Sequence, residues 1–311
     1  MYNFLVGLFQ NTLRSATPVV LAAMGGLFTE HAGLMNIGMD GMMLIGAFFA
    51  AVCSYFFASA AMGVLVAVLI GILIGLFFGL FVIHLKSDEF IIGVALNIFA
   101  GALTVFLLRT MFSVKGSFTG TAGRPVVALP TVRIPLLADI PFVGDILGKN
   151  SILTYVSWIV VIAAWAVIYK TPFGFRLRAS GEMPDSLKSL GMSPVLMKYA
   201  ASVICGALCG LAGAHLSLGY LTGFSEGMSA SRGFIAYACI IFGVANPPKV
   251  FLAVLLFGFL DALGLRLQGV GISSYLTSAI PYIATVLVLI AGALREKAKQ
   301  AKNRDLVHEV Q

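Results

Sequence analysis

Apolar residues in this chain come in long unbroken runs, not in the spaced stripes of a water-soluble fold. The runs lie near residues 16–29, 39–57, 60–85, 90–108, 152–169, 199–220, 233–245, 249–266 and 275–294. Those from Ala60 to Ile83 and from Tyr275 to Leu294 are apolar for the roughly 20 residues that a helix needs to cross about 30 Å of hydrocarbon. None shows the alternating pattern of barrel strands, so helices are the spanning form. Residues 2–14 are too short to span. They place Phe4, Leu5, Leu8, Phe9 and Leu13 at helical spacing, which predicts an amphipathic interfacial helix over residues 1–15. The expected fold is all-α: one polytopic membrane domain over residues 1–311, with about nine transmembrane or partly spanning helices, some of them broken.

Composition agrees. Apolar residues make up 59% of the 311 positions and charged residues 11%, against roughly 25% charged in an average soluble domain. The net charge of +7 sits at segment ends and in loops, without the aromatic-interleaved stripe that binds nucleic acid, so it reads as topology. Lys170, Arg176, Arg178, Lys188 and Lys198 mark residues 170–198 as a cytoplasmic loop. Arg295, Lys297, Lys299, Lys302 and Arg304 mark residues 295–311 as a cytoplasmic tail. Nine crossings then put the N-terminus and the long loop 109–150 outside. Cys53, Cys205, Cys209 and Cys239 all lie within apolar runs and read as packing residues, because a metal would need thiolates in lipid. The first residues lack a basic n-region and a small-residue cleavage site, so no removable signal peptide is expected.

Four segments precede the run at 152–169 and four follow it, so that linking segment turns the two groups into opposite orientation, the inverted-repeat arrangement of transporters. Each group has a polar, Gly-containing break after its first helix, Thr29 to Gly41 in one and Leu221 to Gly233 in the other. Asp40 stands at the head of an apolar run, where burial in hydrocarbon would cost on the order of 3 kcal/mol. It is expected either to cap the helix it begins or to line a polar pathway. Asn36 and Asn97 can join helices through hydrogen bonds worth roughly 1 kcal/mol, or face a substrate. Phe234 and Tyr237, beside the second break, offer aromatic faces for a substrate or for packing. Asp261 and His215 are expected to pair or to reach outward, and neither reads as part of a proton relay. No Lys or Arg falls in the middle of a segment, which argues against a strongly anionic solute and for a neutral polar one. The chain lacks the G-x-x-x-x-G-K-[ST] phosphate loop, the H-E-x-x-H zinc site and any Ser, His and Asp at matching depth. It therefore reads as a non-enzyme with no metal or cofactor of its own; if it transports against a gradient, the energy comes from an ion, for which the sequence shows no convincing site, or from a partner.

The partner site is expected in the loop from Thr171 to Met192. Pro184 can open a short helix there and Gly191 can end it, which makes Gly181, Glu182, Pro184, Ser186, Leu190 and Gly191 the docking candidates; a helix lying in the interface is the alternative. Three stretches together resemble the permease subunits of bacterial ABC importers over nearly the whole chain. They are Asn36 to Ala47, Thr171 to Gly191, and Gly233-Phe234-Ile235-Ala236 with Ile241-Phe242-Gly243 and Asn246-Pro247. Within that group the run Ile140 to Leu147 looks like the nucleoside-uptake branch, which is related to the ribose and simple-sugar permeases. The pattern departs from the family at two places. Asp40 stands where Glu is common, and Ser186 and Leu187 stand where two alanines are usual. The resemblance implies a location in the bacterial cytoplasmic membrane and alternating access. It also implies as partners a second, homologous permease, a cytoplasmic ABC ATPase that carries the ATP and Mg, and an external substrate-binding lipoprotein. A permease for a simple sugar or a branched-chain amino acid would share these features; an ion-coupled secondary carrier would not need the ATPase.

Overall fold

The computed structural model describes residues 2–121, 123–133 and 143–268. The expected segment at 275–294, the tail 295–311 and the residues Ile140 to Phe142 of the quoted external run lie outside them. Within them the chain is a helical bundle. Its helices are α1 (Tyr2–His31), α2 (Met39–Phe57), α3 (Ala60–Gly79, continued by a π-helical turn Leu80–His84) and α4 (Glu89–Phe112), then the short α5 (Val143–Leu147). They are followed by α6 (Ile152–Lys170), α7 (Pro172–Glu182), α8 (Pro184–Ser189), α9 (Pro194–Ala214, continued by a π-helical turn His215–Tyr220), α10 (Arg232–Phe242) and α11 (Pro247–Gln268). Six of the helices are long and apolar enough to cross a membrane, and α10 is a shorter apolar helix. The chain is a multi-pass, all-α membrane protein.

The interfacial helix expected over residues 1–15 is not a separate element. Residues 2–14 run without a break into α1, because Pro18 is accommodated inside the helix. Proline there leaves the Arg14 carbonyl without its helical donor, and one residue earlier Thr17 donates its hydroxyl to the Leu13 carbonyl at 2.7 Å. Arg14, just before the apolar run at 16–29, lies within α1 with an exposed side chain.

The bundle is held by close backbone approach. On α3, Gly63, Ala67, Gly71 and Gly75 fall on one buried face, while Leu65, Leu69, Leu73 and Phe77 are exposed on the other. The small-residue face meets Ser202, Gly206 and Gly210 of α9 in antiparallel register. A β-carbon on Gly71 would collide with the Gly206 carbonyl oxygen, one on Gly75 with that of Ser202, and one on Gly210 with that of Ala67. Lipid removes the hydrophobic drive for helix association, so dispersion contact between close backbones takes its place. α1 and α11 are also antiparallel: His31 donates Nε2–H to the Ala245 carbonyl at 2.9 Å at one end, and at the other Arg266 lies 5.6 Å from the Phe4 ring. α1 thus starts where α11 ends, and α3 runs against α9. α2 is the most enclosed of the six apolar helices.

Between α4 and α6 the chain forms short strands: β1 (Ser117–Phe118), β2 (Gly120–Thr121), β3 (Arg124–Pro125), β4 (Thr131–Arg133) and β5 (Lys149–Ser151). A sixth, β6 (Phe224–Ser225), belongs to the second break. β2 pairs with β3 and β4 with β5, while β1 pairs antiparallel with β6, so that Phe118 faces Phe224. Aromatic contacts seal this joint: Phe112 stacks on Phe118 at 4.0 Å, and Phe224 meets Phe48 of α2 edge-on at 5.1 Å.

The fold depends on the glycine stripe, and overpacking such a site costs about 1–3 kcal/mol or more. Gly71→Leu and Gly206→Leu are each expected to abolish the monodisperse peak in detergent size-exclusion chromatography, whereas Leu69→Ala on the exposed face keeps it.

Candidate functional site

The two breaks meet. α2 opens with Met39 and Asp40 and has no cap from its own N-cap residue, Gly38. Asn97 of α4 serves instead: its Oδ1 accepts from the Gly41 N–H at 2.7 Å, and its Nδ2 donates to the Ile37 carbonyl at 3.1 Å. At 1.5 Å rise per residue, Asn97 lies about 12 Å along α4 from Glu89, so α2 starts well inside the bundle. The first break reaches that depth through Asn36, whose Oδ1 accepts from the Gly38 N–H at 3.0 Å and whose Nδ2 lies 3.3 Å from Cys205 Sγ. Asn36 is buried. The structure therefore uses the bonding groups of both asparagines to shape the first break.

Asp40 does not cap its own helix. Its Oδ1 accepts the Gly233 N–H at 3.0 Å and its Oδ2 accepts the Ser229 hydroxyl at 2.9 Å. Gly233 is the second residue of α10, so a carboxylate from the first break caps the helix that follows the second. The starts of α2 and α10 converge there, both presenting the positive ends of helix dipoles, and the anion sits where such ends favour it. The approach is backbone to backbone, since a β-carbon on Gly233 would collide with the Asp40 main chain.

A second polar network holds the same break from α11. Arg232 donates to the carbonyls of Met228 and Ser229, lies 4.0 Å from the Asp261 carboxylate and 5.9 Å from the Tyr220 ring. Asp261 also accepts the hydroxyl of Ser15 from α1. The expected pairing of Asp261 with His215 is thus replaced by Asp261 with Arg232 and Ser15, because Arg232 supplies the nearer cation. His215 is fully buried elsewhere. Farther along the second break, Glu226 accepts from the Gly116 N–H at 3.1 Å and stands 3.8 Å from Arg109.

Phe234 is 43% exposed and Tyr237 half-buried on α10, one turn apart and adjoining the Asp40 junction. Ser229, Arg232 and Gly233 lie within the second break, Leu221 to Gly233, where no individual role was expected of them. A signal was present: a helix start at a glycine in one break and an unpaired carboxylate, Asp40, in the other. Among the described residues no cluster of His, Cys, Asp and Glu is able to hold a metal ion.

The loop 170–198 holds two helices. Thr171 caps α7 by accepting from the Gly174 N–H at 3.2 Å. α8 begins at Pro184 and the chain turns at Gly191, with φ +73°, as the sequence predicts for the segment after Pro184. Gly181, near the end of α7, packs against the first break: a β-carbon there would press on the His31 carbonyl at 2.5 Å and on the Gly33 amide at 2.8 Å. Gly33 itself turns with φ +70°. Arg178 lies 5.1 Å from the Tyr169 ring, against which His31 packs edge-on at 6.0 Å. Glu182, Ser186, Leu190 and Gly191 are at the surface, Pro184 is half-buried, and Leu187 between them is buried.

Removing the Asp40 carboxylate leaves the Gly233 amide and the Ser229 hydroxyl unpaired, at about 1–3 kcal/mol each. Asp40→Ala is therefore expected to lower the thermal midpoint by several degrees. Asp40→Asn keeps an acceptor for Gly233 and a donor toward Ser229, so most of the midpoint should be retained. Scanning fluorimetry of the two variants in nanodiscs separates the outcomes; equal losses would assign the effect to the charge and not to the bonds.

Residues 8–289 match the family described as the branched-chain amino acid transport system / permease component. The chain is 33% identical to the nucleoside ABC transporter permease protein NupC of Lactococcus lactis subsp. cremoris, over 92% of each chain. It is 29% identical to NupB, a nucleoside ABC transporter permease protein from the same organism, over 94% of this chain and 82% of that one. It is also 29% identical to the putative glucose ABC transporter permease protein TsgC13 of Haloferax volcanii, over 95% and 94%. No solved structure matches. With nearly the whole length matched, joined breaks at its centre and a helical loop pressed on one of them, this chain belongs to the branched-chain amino acid transport system permease family.

Proposed function

We propose that the chain is the transmembrane subunit of an ATP-driven importer that moves nucleosides by alternating access. The observation that carries this reading is the contact of Gly181 on Gly33. The two-helix loop that would meet an ATPase rests on the first break, and the first break holds the second through Asp40. Motion of α7 and α8 thus has a short mechanical route to both helix starts. The end of the bundle bearing α7 and α8 is taken as cytoplasmic, which places the β-strand loop outside, where a substrate-binding lipoprotein would dock. ATP and Mg belong to the ATPase, and this chain contributes no hydrolysis.

Two relatives from one organism, NupB and NupC, are both named as nucleoside permeases, which favours a heterodimer of homologous permeases. They also favour nucleosides as the solute. Phe234 and Tyr237 suit that class, since an aromatic face stacks on a base while amides and hydroxyls bond the sugar. The likeness to a putative glucose permease supports a second reading, a simple sugar.

Competition decides between them. Uptake of labelled uridine by cells expressing the full set of subunits should fall with excess adenosine or guanosine and remain unchanged with glucose, ribose or leucine. Inhibition by the sugars alone would overturn the nucleoside reading and leave the importer intact. Uptake that survives loss of the ATPase would instead favour an ion-coupled carrier. For the docking loop, single cysteines at Glu182 and Ser186 are expected to crosslink to the ATPase; crosslinks confined to the tail after Arg295 would overturn the assignment.

A further inference from the structure

Beside the Asp40 junction stands an ion pair with bonding capacity to spare. Arg232 gives Nη1 to the Met228 and Ser229 carbonyls, and Asp261 accepts the Ser15 hydroxyl at Oδ2. The remaining atoms are not spent on each other. Arg232 Nη2 stands 4.0 Å from Asp261 Oδ2, beyond the roughly 3.2 Å at which an N–H···O bond ends. Among the described residues, Asp261 Oδ1 and Arg232 Nη2 make no hydrogen bond, and neither atom is buried; the two side chains are 40% and 17% exposed. Tyr220, its ring 5.9 Å from the guanidinium carbon, holds Arg232 from one face. Just before Arg232, Ala230 and Ser231 have left-handed backbone, with φ +46° and +60°. That conformation costs a non-glycine residue energy and gathers at ligand-binding positions.

Depth decides what faces the pair. At 1.5 Å per residue, Asp261 lies about 21 Å along α11 from Pro247 and about 10 Å before Gln268, within a helix long and apolar enough to span. Charged groups left accessible at such a depth face protein or a water-filled path, not lipid. The path is at hand, because Arg232 precedes Gly233, whose amide Asp40 holds where the two breaks meet. We propose that Arg232 and Asp261 bind the vicinal diol of the solute's ribose, an inference that rests on the nucleoside reading above. One hydroxyl fills the 4.0 Å gap, donating to the carboxylate and accepting from Nη2, and its neighbour donates to Oδ1. A hydroxyl is donor and acceptor at once, which completes a carboxylate standing beside a guanidinium. Asp261 repels an anion and Arg232 a cation, so the pair selects neutral hydroxyls over phosphate or ammonium groups.

The test measures uptake of labelled uridine by cells expressing all the subunits, with unlabelled uridine and 2′,3′-dideoxyuridine as competitors. In the native transporter the dideoxy compound should compete about tenfold more weakly than uridine, or worse, because a site built to bond hydroxyls rejects the analogue that lacks them. In Asp261→Asn the inhibition constant of uridine should rise about tenfold and that of dideoxyuridine less than about twofold, so that the two converge. Equal competition in the native transporter would overturn the inference and leave the nucleoside reading intact, and that comparison stands whether or not the variant assembles. A parallel rise of both constants in Asp261→Asn, the mark of a pair that only holds helices together, would overturn it too. Failure of every nucleoside to compete would overturn the nucleoside reading and this inference together. As an independent readout, Ser231→Cys should react with a charged, membrane-impermeant thiosulfonate faster than the native cysteines do, and uridine should slow the reaction several-fold. No reaction there would set the pair against lipid or another subunit and overturn the site.

Discussion

The structure turns on a carboxylate shared between two breaks in the helical bundle. A helix that starts inside a membrane leaves its first amides without water, and each needs an acceptor from elsewhere in the protein. α2 takes its acceptor from Asn97 of the neighbouring α4, and α10 takes its own from Asp40 across the repeat. The charge of Asp40, prohibitive in hydrocarbon, is tolerable because it lies where two helix starts point. Removing either break from the arrangement would leave the other unsatisfied, so the two are held as one unit.

Around that unit the bundle is built from contacts that leave little freedom. The α3–α9 seam puts carbonyl oxygens where side chains would otherwise stand, and the leucine face of α3 is left exposed. In α11, Asp261 accepts the Ser15 hydroxyl and stands 4.0 Å from Arg232, with its side chain partly exposed. A close-packed seam beside a partly exposed polar joint is compatible with a body that rocks about a fixed site.

Much of this was legible in the sequence. The spans at 39–57, 60–85 and 152–169 agree with the helices to within a residue or so, since a continuous apolar run has one stable form in a membrane. The short helix after Pro184 was legible because proline and glycine fix its ends. α1 was misread: Arg14 and Pro18 look like a boundary in a hydropathy profile, yet an exposed arginine and a threonine-buffered proline are both compatible with a helix. The partner of Asp40 was hidden for another reason. Ser229 and Gly233 lie far along the chain, and a pairing across an inverted repeat leaves no local spacing to read.

The joint between β1 and β6 carries its own consequence. Two backbone pairs and a packed aromatic group weld the loop after α4 to the second break, and the weld faces α2 through Phe224 and Phe48. A displacement of the loop at β1 is therefore shared by the second break and, through Phe224, by α2, so the three form one joint and not three.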